Sequence, residues 1–316
     1  MTSVVFMGTP AFSAPILEAV IANGYDVKAV VTQPDRPVGR KRVLTPTPVK
    51  EVALAHEIEV LQPEKISGSD EMQRVIDINP DLIITAAFGQ FLPTKLLNAA
   101  KIGAINVHAS LLPKYRGGAP VHYAIMNGDE KTGVSIMYMV KKMDAGDVIA
   151  VAEEPITSTD NVGTMFDKLS VLGRDLLIKT LPDLIAGNVT PVTQDEALVT
   201  FSPNISPEQE QLDFNQPAQV IDNHVRGLYP FPTAYTVING VRTKIQGVQV
   251  VNEMTTQSAG VVVKKTKHAL WIAAGAGTII SLVNLQPAGK PKMSITDYLN
   301  GNLANFTEGQ QVIFNG

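Results

Sequence analysis

The residues best placed to do chemistry stand in Ile102-Gly103-Ala104-Ile105-Asn106-Val107-His108-Ala109-Ser110. Side chains alternate along a strand, so Asn106 and His108 share one face while Ile105 and Val107 take the other. A parallel strand is buried on both faces and reads as a near-continuous apolar run. An amide and an imidazole side by side near its C-terminal end break that pattern, and open α/β sheets bind ligands at that end. Imidazole also changes charge close to neutral pH. A hydrogen-bonded core pair is the plainer reading. The continuation Ser110-Leu111-Leu112-Pro113-Lys114-Tyr115-Arg116-Gly117-Gly118-Ala119-Pro120 weighs against it, because its Pro and Gly residues shape a loop at the mouth of a sheet. Asp144, in Lys142-Met143-Asp144-Ala145-Gly146-Asp147, is ordinary turn chemistry by itself. Beside a histidine, however, a carboxylate sets the charge and orientation of the imidazole.

Other chemistries are poorly supplied. The chain has no cysteine, which excludes disulfides, thiolate catalysis, zinc–thiolate sites and iron–sulfur clusters. Gly8-Thr9-Pro10 follows the first strand but is not the glycine fingerprint of dinucleotide folds, and no Walker A spacing occurs. His56-Glu57 does not continue into a metalloprotease motif, and His122, His224 and His268 lack partners at ligand spacing, so no metal site is expected.

The elements that must position these residues are legible as a pattern. Apolar runs at Ser3–Met7, Val27–Thr32, Asp81–Ala87, Ile102–Ala109 and Val134–Val140 alternate with amphipathic stretches. That alternation predicts an α/β fold: a doubly wound, mostly parallel, Rossmann-like sheet with helices on both faces. A long helix is expected over about Asn161–Ala186, where Phe166, Leu169, Leu172, Leu176 and Leu177 recur at helical spacing. Near residue 200 the pattern changes. After Ser202-Pro203-Asn204-Ile205-Ser206-Pro207 come a helix at about Pro217–Gly227 and then short β runs, which predict a smaller C-terminal β-barrel. The expected domains are therefore residues 1–203 and 204–316. The polar loop from about Gln33 to Pro46 carries Arg36, Arg40, Lys41 and Arg42 against Asp35. It reads either as a mobile solvated loop or as a cationic arm that orders on phosphates.

A chain of 316 residues with 45% hydrophobic and 18% charged residues can bury two cores and is not disordered. The net charge of −4 does not suggest a globally basic nucleic-acid binder. No charged n-region precedes the first apolar run, and no apolar run reaches 18 residues, so a soluble cytoplasmic protein with no membrane partner is expected.

Asn106-x-His108, the Ser110–Pro120 loop and Asp144 together resemble the signature of the folate-dependent formyltransferases. Val5-Phe6-Met7-Gly8-Thr9-Pro10-Ala11-Phe12, Gln33-Pro34-Asp35-Arg36-Pro37 and Ala87-Phe88-Gly89-Gln90-Phe91-Leu92-Pro93 extend the resemblance, and Gly227-Leu228-Tyr229-Pro230-Phe231-Pro232 carries it into an OB-like barrel. The resemblance implies 10-formyltetrahydrofolate as formyl donor and the α-amino group of methionyl initiator tRNA as acceptor. It implies catalytic roles for Asn106, His108 and Asp144: two donors to the developing oxyanion and a carboxylate that supports the cation and relays the proton. It places the folate against Phe88, Gly89, Gln90, Leu92, Ser110, Leu111, Leu112, Pro113 and the 140–144 segment. It assigns tRNA contacts to Arg36, Arg40, Lys41 and Arg42 and to Lys264, Lys265 and Lys267 of the barrel. It requires no metal, and a monomer is expected. A formyltransferase acting on another amine, a folate hydrolase domain and a catalytically silent RNA-binding protein are the alternatives.

Overall fold

The computed structural model describes residues 1–39 and 41–314 and divides the chain into two compact units. The first comprises Met1–Pro120, Lys131–Pro155 and Phe166–Pro203; the second comprises Val121–Glu130, Ile156–Met165 and the residues from Asn204 onward. Two short segments that precede residue 203 thus belong to the second unit. In chain order the elements up to residue 186 are β1 (Ser3–Gly8), α1 (Ala14–Ala22), β2 (Asp26–Val31), β3 (Arg36–Val38), β4 (Val43–Thr45), α2 (Pro48–Ala55), β5 (Glu59–Leu61), α3 (Asp70–Ile78), β6 (Leu82–Ala86), α4 (Thr94–Leu97), β7 (Gly103–His108), α5 (Pro120–Met126), β8 (Lys131–Tyr138), β9 (Val148–Pro155) and α6 (Val162–Ala186).

The first unit is built on a seven-stranded sheet in the order β5-β2-β1-β6-β7-β8-β9. The first five strands are parallel, and β8 is antiparallel to both β7 and β9. Val4–Met7 and Leu82–Ile84 are fully buried, as central parallel strands require. Helix α6 lies against one face of β7. A Cβ on Gly173 would come 3.0 Å from a Val107 methyl and 3.4 Å from a Val134 methyl, so the absent side chain lets the helix seat closely on these two residues. Val107 therefore points to α6, and strand alternation turns Asn106 and His108 to the opposite face. The basic 33–46 segment is not a structureless loop. It forms the hairpin β3–β4, with Arg36 opposite Thr45 and Val38 opposite Val43. Val38, Val43 and Leu44 are exposed on it.

The second unit contains α7 (Ala218–Leu228), β10 (Tyr235–Ile238), β11 (Val241–Val251), β12 (Val262–Lys265), β13 (Leu270–Ala273), β14 (Ile279–Pro287), β15 (Met293–Ser294) and α8 (Ile295–Asn302). Its antiparallel sheet runs β10-β11-β14-β13-β12, with β15 on β14. The last described segment bridges both edges: Ile313 pairs with Ile238 at the end of β10, and Gln311 with Val261 beside β12. That closes the sheet into a barrel and removes its free edges. Phe214, Leu228, Ile245, Leu270, Ile280, Leu285 and Phe306 fill the interior. Among the described residues no helix is long and apolar enough to cross a membrane.

This unit carries a pH dependence. His224 Nε2 donates to the Gln209 carbonyl at 2.7 Å, and burial holds the ring below the usual histidine range despite that bond. Burial depresses His122 in the same way. A histidine whose folded-state pKa is depressed contributes stability that is present above its unfolded value, near 6.5, and lost as pH falls through the folded one. The thermal midpoint is therefore expected to be lower at pH 5.5 than at pH 7.5. The difference should shrink in His224→Gln, and an unchanged difference in that variant would remove the assignment.

Candidate active site

Asn106 and His108 sit at the end of β7, and each is oriented by a neighbour. Thr85, opposite Asn106 in the β6–β7 register, has its hydroxyl oxygen 2.8 Å from Asn106 Oδ1. An amide oxygen only accepts, so Thr85 donates, and the Nδ2 hydrogens are left to point away from it. His108 is buried, with Nε2 3.0 Å from the Tyr115 carbonyl oxygen. A carbonyl has no proton to give, so Nε2 carries the hydrogen. Nδ1 is then an acceptor in the neutral ring and a donor only in the imidazolium. The sequence left open whether His108 would donate as a cation or as a neutral tautomer. With Nε2 committed to Tyr115, Nδ1 donates only as the cation.

Asp144 meets this nitrogen. Its Oδ1 lies 3.9 Å from His108 Nδ1, and its side chain is 15% exposed. Its Oδ2 accepts the Gly117 backbone N–H at 2.9 Å. The loop that carries it, between β8 and β9, starts beside β7, where the Met139 N–H donates to the Ala104 carbonyl. Asp144 itself has φ +49°, the left-handed region that Asp tolerates better than most residues. Two residues on, a Cβ at Gly146 would fall 1.8 Å from the Tyr138 carbonyl, so the loop closes this tightly only through glycine. The three residues singled out by type and spacing thus converge, Asn106 and His108 from one strand face and Asp144 from a folded-back loop.

A match to the family model described as Formyl transferase covers residues 1–181, and one described as Formyl transferase, C-terminal domain, covers residues 204–303. The chain belongs to the formyl transferase family. It is a formyl-transferring enzyme. The methionyl-tRNA formyltransferase of Levilactobacillus brevis is 67% identical over 312 residues, covering 99% of each chain, and that of Enterococcus faecalis is 61% identical over 99% of this chain and all of its own. Among solved structures, the sugar 3N-formyl transferase WlaRD superposes with a TM-score of 0.68 at 17% identity, over 92% of this chain and 99% of its own. The N-formyltransferase of Helicobacter canadensis gives 0.68 at 18%, over 91% of this chain and all of its own. These structures share the fold.

In this formyltransferase the segments expected to hold the folate are mostly braced by their own side chains. Phe88 and Leu92 are buried in the core with Val5, Met7 and Leu96. The Phe88 carbonyl accepts from Thr9 Oγ1 at 3.1 Å and from Gln33 Nε2 at 3.3 Å. Gln90 Oε1 accepts the Ile66 N–H at 2.7 Å and its Nε2 donates to the Pro63 carbonyl. Gly89 has φ +84°. Ser110 is fully buried, and its hydroxyl donates to the Lys114 carbonyl. Leu112 packs on Met137 and Val148, and Ser135 Oγ bridges the Ser110 carbonyl and the Leu112 N–H. Leu111 and Pro113 are half-buried. Beside Gln90 lies an open depression of about 530 Å³, lined by Glu64, Lys65, Ser67, Gln90 and Phe91.

The basic residues divide. Arg36 pairs with Glu64 on an exposed surface, a contact worth roughly 0–1 kcal/mol. Lys41 and Arg42 are exposed at the hairpin turn, and Arg40 lies outside the described residues. Lys264 is exposed, with its ammonium 4.3 Å from the centre of the Trp271 ring, and Lys267 is exposed. Lys265 is spent differently from the sequence expectation: its Nζ donates to the Leu303 and Phe306 carbonyls, tying the chain after α8 to β12. No group of three or more His, Asp or Glu among the described residues could hold a metal. The sequence reading missed the carbonyl of Tyr115 and the N–H of Gly117, because backbone groups leave no residue-type signal.

Proposed function

We propose that this formyltransferase moves the formyl group of 10-formyltetrahydrofolate to the α-amino group of methionyl initiator tRNA. The observation that carries the chemistry is the convergence of Asn106, His108 and Asp144, with the His108 ring fixed so that Nδ1 faces the carboxylate. The near end-to-end identity with methionyl-tRNA formyltransferases supports the acceptor. Residues 1–203 serve as the folate-binding catalytic domain and residues 204–316 as the tRNA-binding domain.

The donor set fits a folate. The 88–92 backbone and the 110–113 loop are held rigid by buried side chains, and the depression beside Gln90 and Phe91 offers an apolar ring, with the Lys65 ammonium suited to a carboxylate tail. When bound, the folate supplies the formyl group. The protein does the rest with three residues. Asn106 donates from Nδ2 to the oxygen on which negative charge builds. The His108 imidazolium donates from Nδ1 to the same region. Asp144 supports that cation and, directly or through water, takes up the proton the amine loses. The β3–β4 hairpin and the exposed cations Lys264 and Lys267 meet the tRNA phosphates.

Incubation with 10-formyltetrahydrofolate and methionyl initiator tRNA, with methionyl elongator tRNA alongside, tests the reading. Fast formylation of the initiator species alone is expected, and a free aminosugar acting as a better acceptor would overturn it. Lys41→Ala combined with Arg42→Ala should raise KM for tRNA without altering KM for the folate. It should also flatten the dependence of log(kcat/KM) on log salt by about 2, one per lost phosphate contact. An unchanged salt slope would take the hairpin off the RNA.

A further inference from the structure

A residue far from the catalytic trio in sequence controls how Asp144 is held. Gln194 is 7% exposed, and both amide hydrogens and the amide oxygen are engaged within the first unit. Its Nε2 donates to the Asp144 carbonyl and to the Gly146 carbonyl, both at 2.8 Å. Its Oε1 accepts from Arg116 Nε at 3.0 Å. Arg116 is 1% exposed, and its Nη2 donates to Glu196 Oε1 at 3.0 Å. Glu196 is gripped from the other side by Lys142, two residues before Asp144, at 2.8 Å. The segment carrying Gln194 and Glu196 is pinned in turn to the loop after β7. Arg116 N–H donates to the Thr200 carbonyl, Ser202 N–H to the Arg116 carbonyl, and Ser202 Oγ to the Tyr115 carbonyl that also orients His108.

We propose that Gln194 is a positioning residue for formyl transfer: held by Arg116, its amide clamps the two carbonyls that flank Ala145 and fixes the Asp144 carboxylate against His108 Nδ1. This rests on the catalytic role proposed for Asp144. Three things argue that the clamp serves orientation. Asp144 sits in a left-handed conformation that a free loop would rarely hold. Its carboxylate faces His108 at 3.9 Å, so a small rotation of the turn lengthens or closes that gap. And the carbonyls bound by Gln194 belong to the turn itself, not to a strand ladder, so no regular backbone pairing would replace them.

The test is a kinetic double-mutant cycle with the full chain. Gln194→Met keeps the volume and removes both donors. It is expected to lower kcat about 10-fold with KM for folate and tRNA within twofold. In an Asp144→Ala background the same change should cost less than twofold, because a residue that works through Asp144 has nothing left to position. Should Gln194→Met be insoluble, Gln194→Glu, which retains an acceptor for Arg116 and loses the amide donors, carries the same comparison. A folded Gln194 variant with unchanged kcat, a loss confined to KM, or an equal loss with and without Asp144 would overturn the proposal. Full activity in Asp144→Ala alone would instead strike the catalytic reading on which it rests, so the two failures are distinguishable.

Discussion

His108→Ala is expected to lower kcat at least about 100-fold, with KM for methionyl-tRNA and affinity for the folate little changed. The size follows from what the ring does. It is a donor to an oxygen that becomes charged only in the transition state, and losing one such donor costs roughly 10²–10³ in rate. The fold should survive, because the Tyr115 carbonyl that His108 Nε2 satisfies keeps a second donor in Ser202 Oγ at 3.1 Å. The loss therefore reports chemistry. Single-turnover kinetics with saturating substrates checks it, and a decrease below about threefold with chemistry rate-limiting would remove His108 from the mechanism.

Most of this geometry was legible where local chemistry is periodic. The alternation in Ile105-Asn106-Val107-His108 fixed which side chains share a face, and α6 lies on the Val107 side as that alternation requires. The apolar runs at β1, β2, β6 and β7 announced themselves because central strands are dry on both faces. The direction of β8 did not, since a run such as Val134–Val140 has the same composition whether its neighbour is parallel or antiparallel. Strand β9 was read only as an undelimited strand candidate after Asp147: Val148–Pro155 ends in two glutamates and a proline, and Val151, Glu153 and Pro155 are exposed. The β3–β4 hairpin was also missed, because Arg36–Val38 and Val43–Thr45 are three-residue strands with exposed side chains and no buried face to betray them. Lys265 looked like a nucleic-acid contact by charge, but its ammonium meets carbonyls some forty residues on, a partnership no local pattern encodes. The same distance hid Gln194. The one clue was Arg116, a charged side chain in a Gly- and Pro-rich loop, which needed a buried partner once the loop closed.

Asp144→Asn should be nearly as damaging as loss of the histidine, about 100-fold in kcat, although it exchanges a single oxygen for an amino group. The introduced amide keeps an oxygen for the Gly117 N–H, and both Gln194 bonds go to backbone carbonyls that the substitution leaves in place. The loop therefore has every reason to stay where it is. What changes is the group facing His108 Nδ1. With its oxygen on Gly117, the amide turns its NH₂ toward that nitrogen, which favours the neutral ring with Nδ1 as acceptor. The imidazolium loses its counter-charge and the proton its destination. The expected signature is a fall in kcat with both KM values within about twofold and an unchanged thermal midpoint. Retention of more than a third of the wild-type rate in a folded protein would show that the carboxylate shapes the turn without taking part in the transfer.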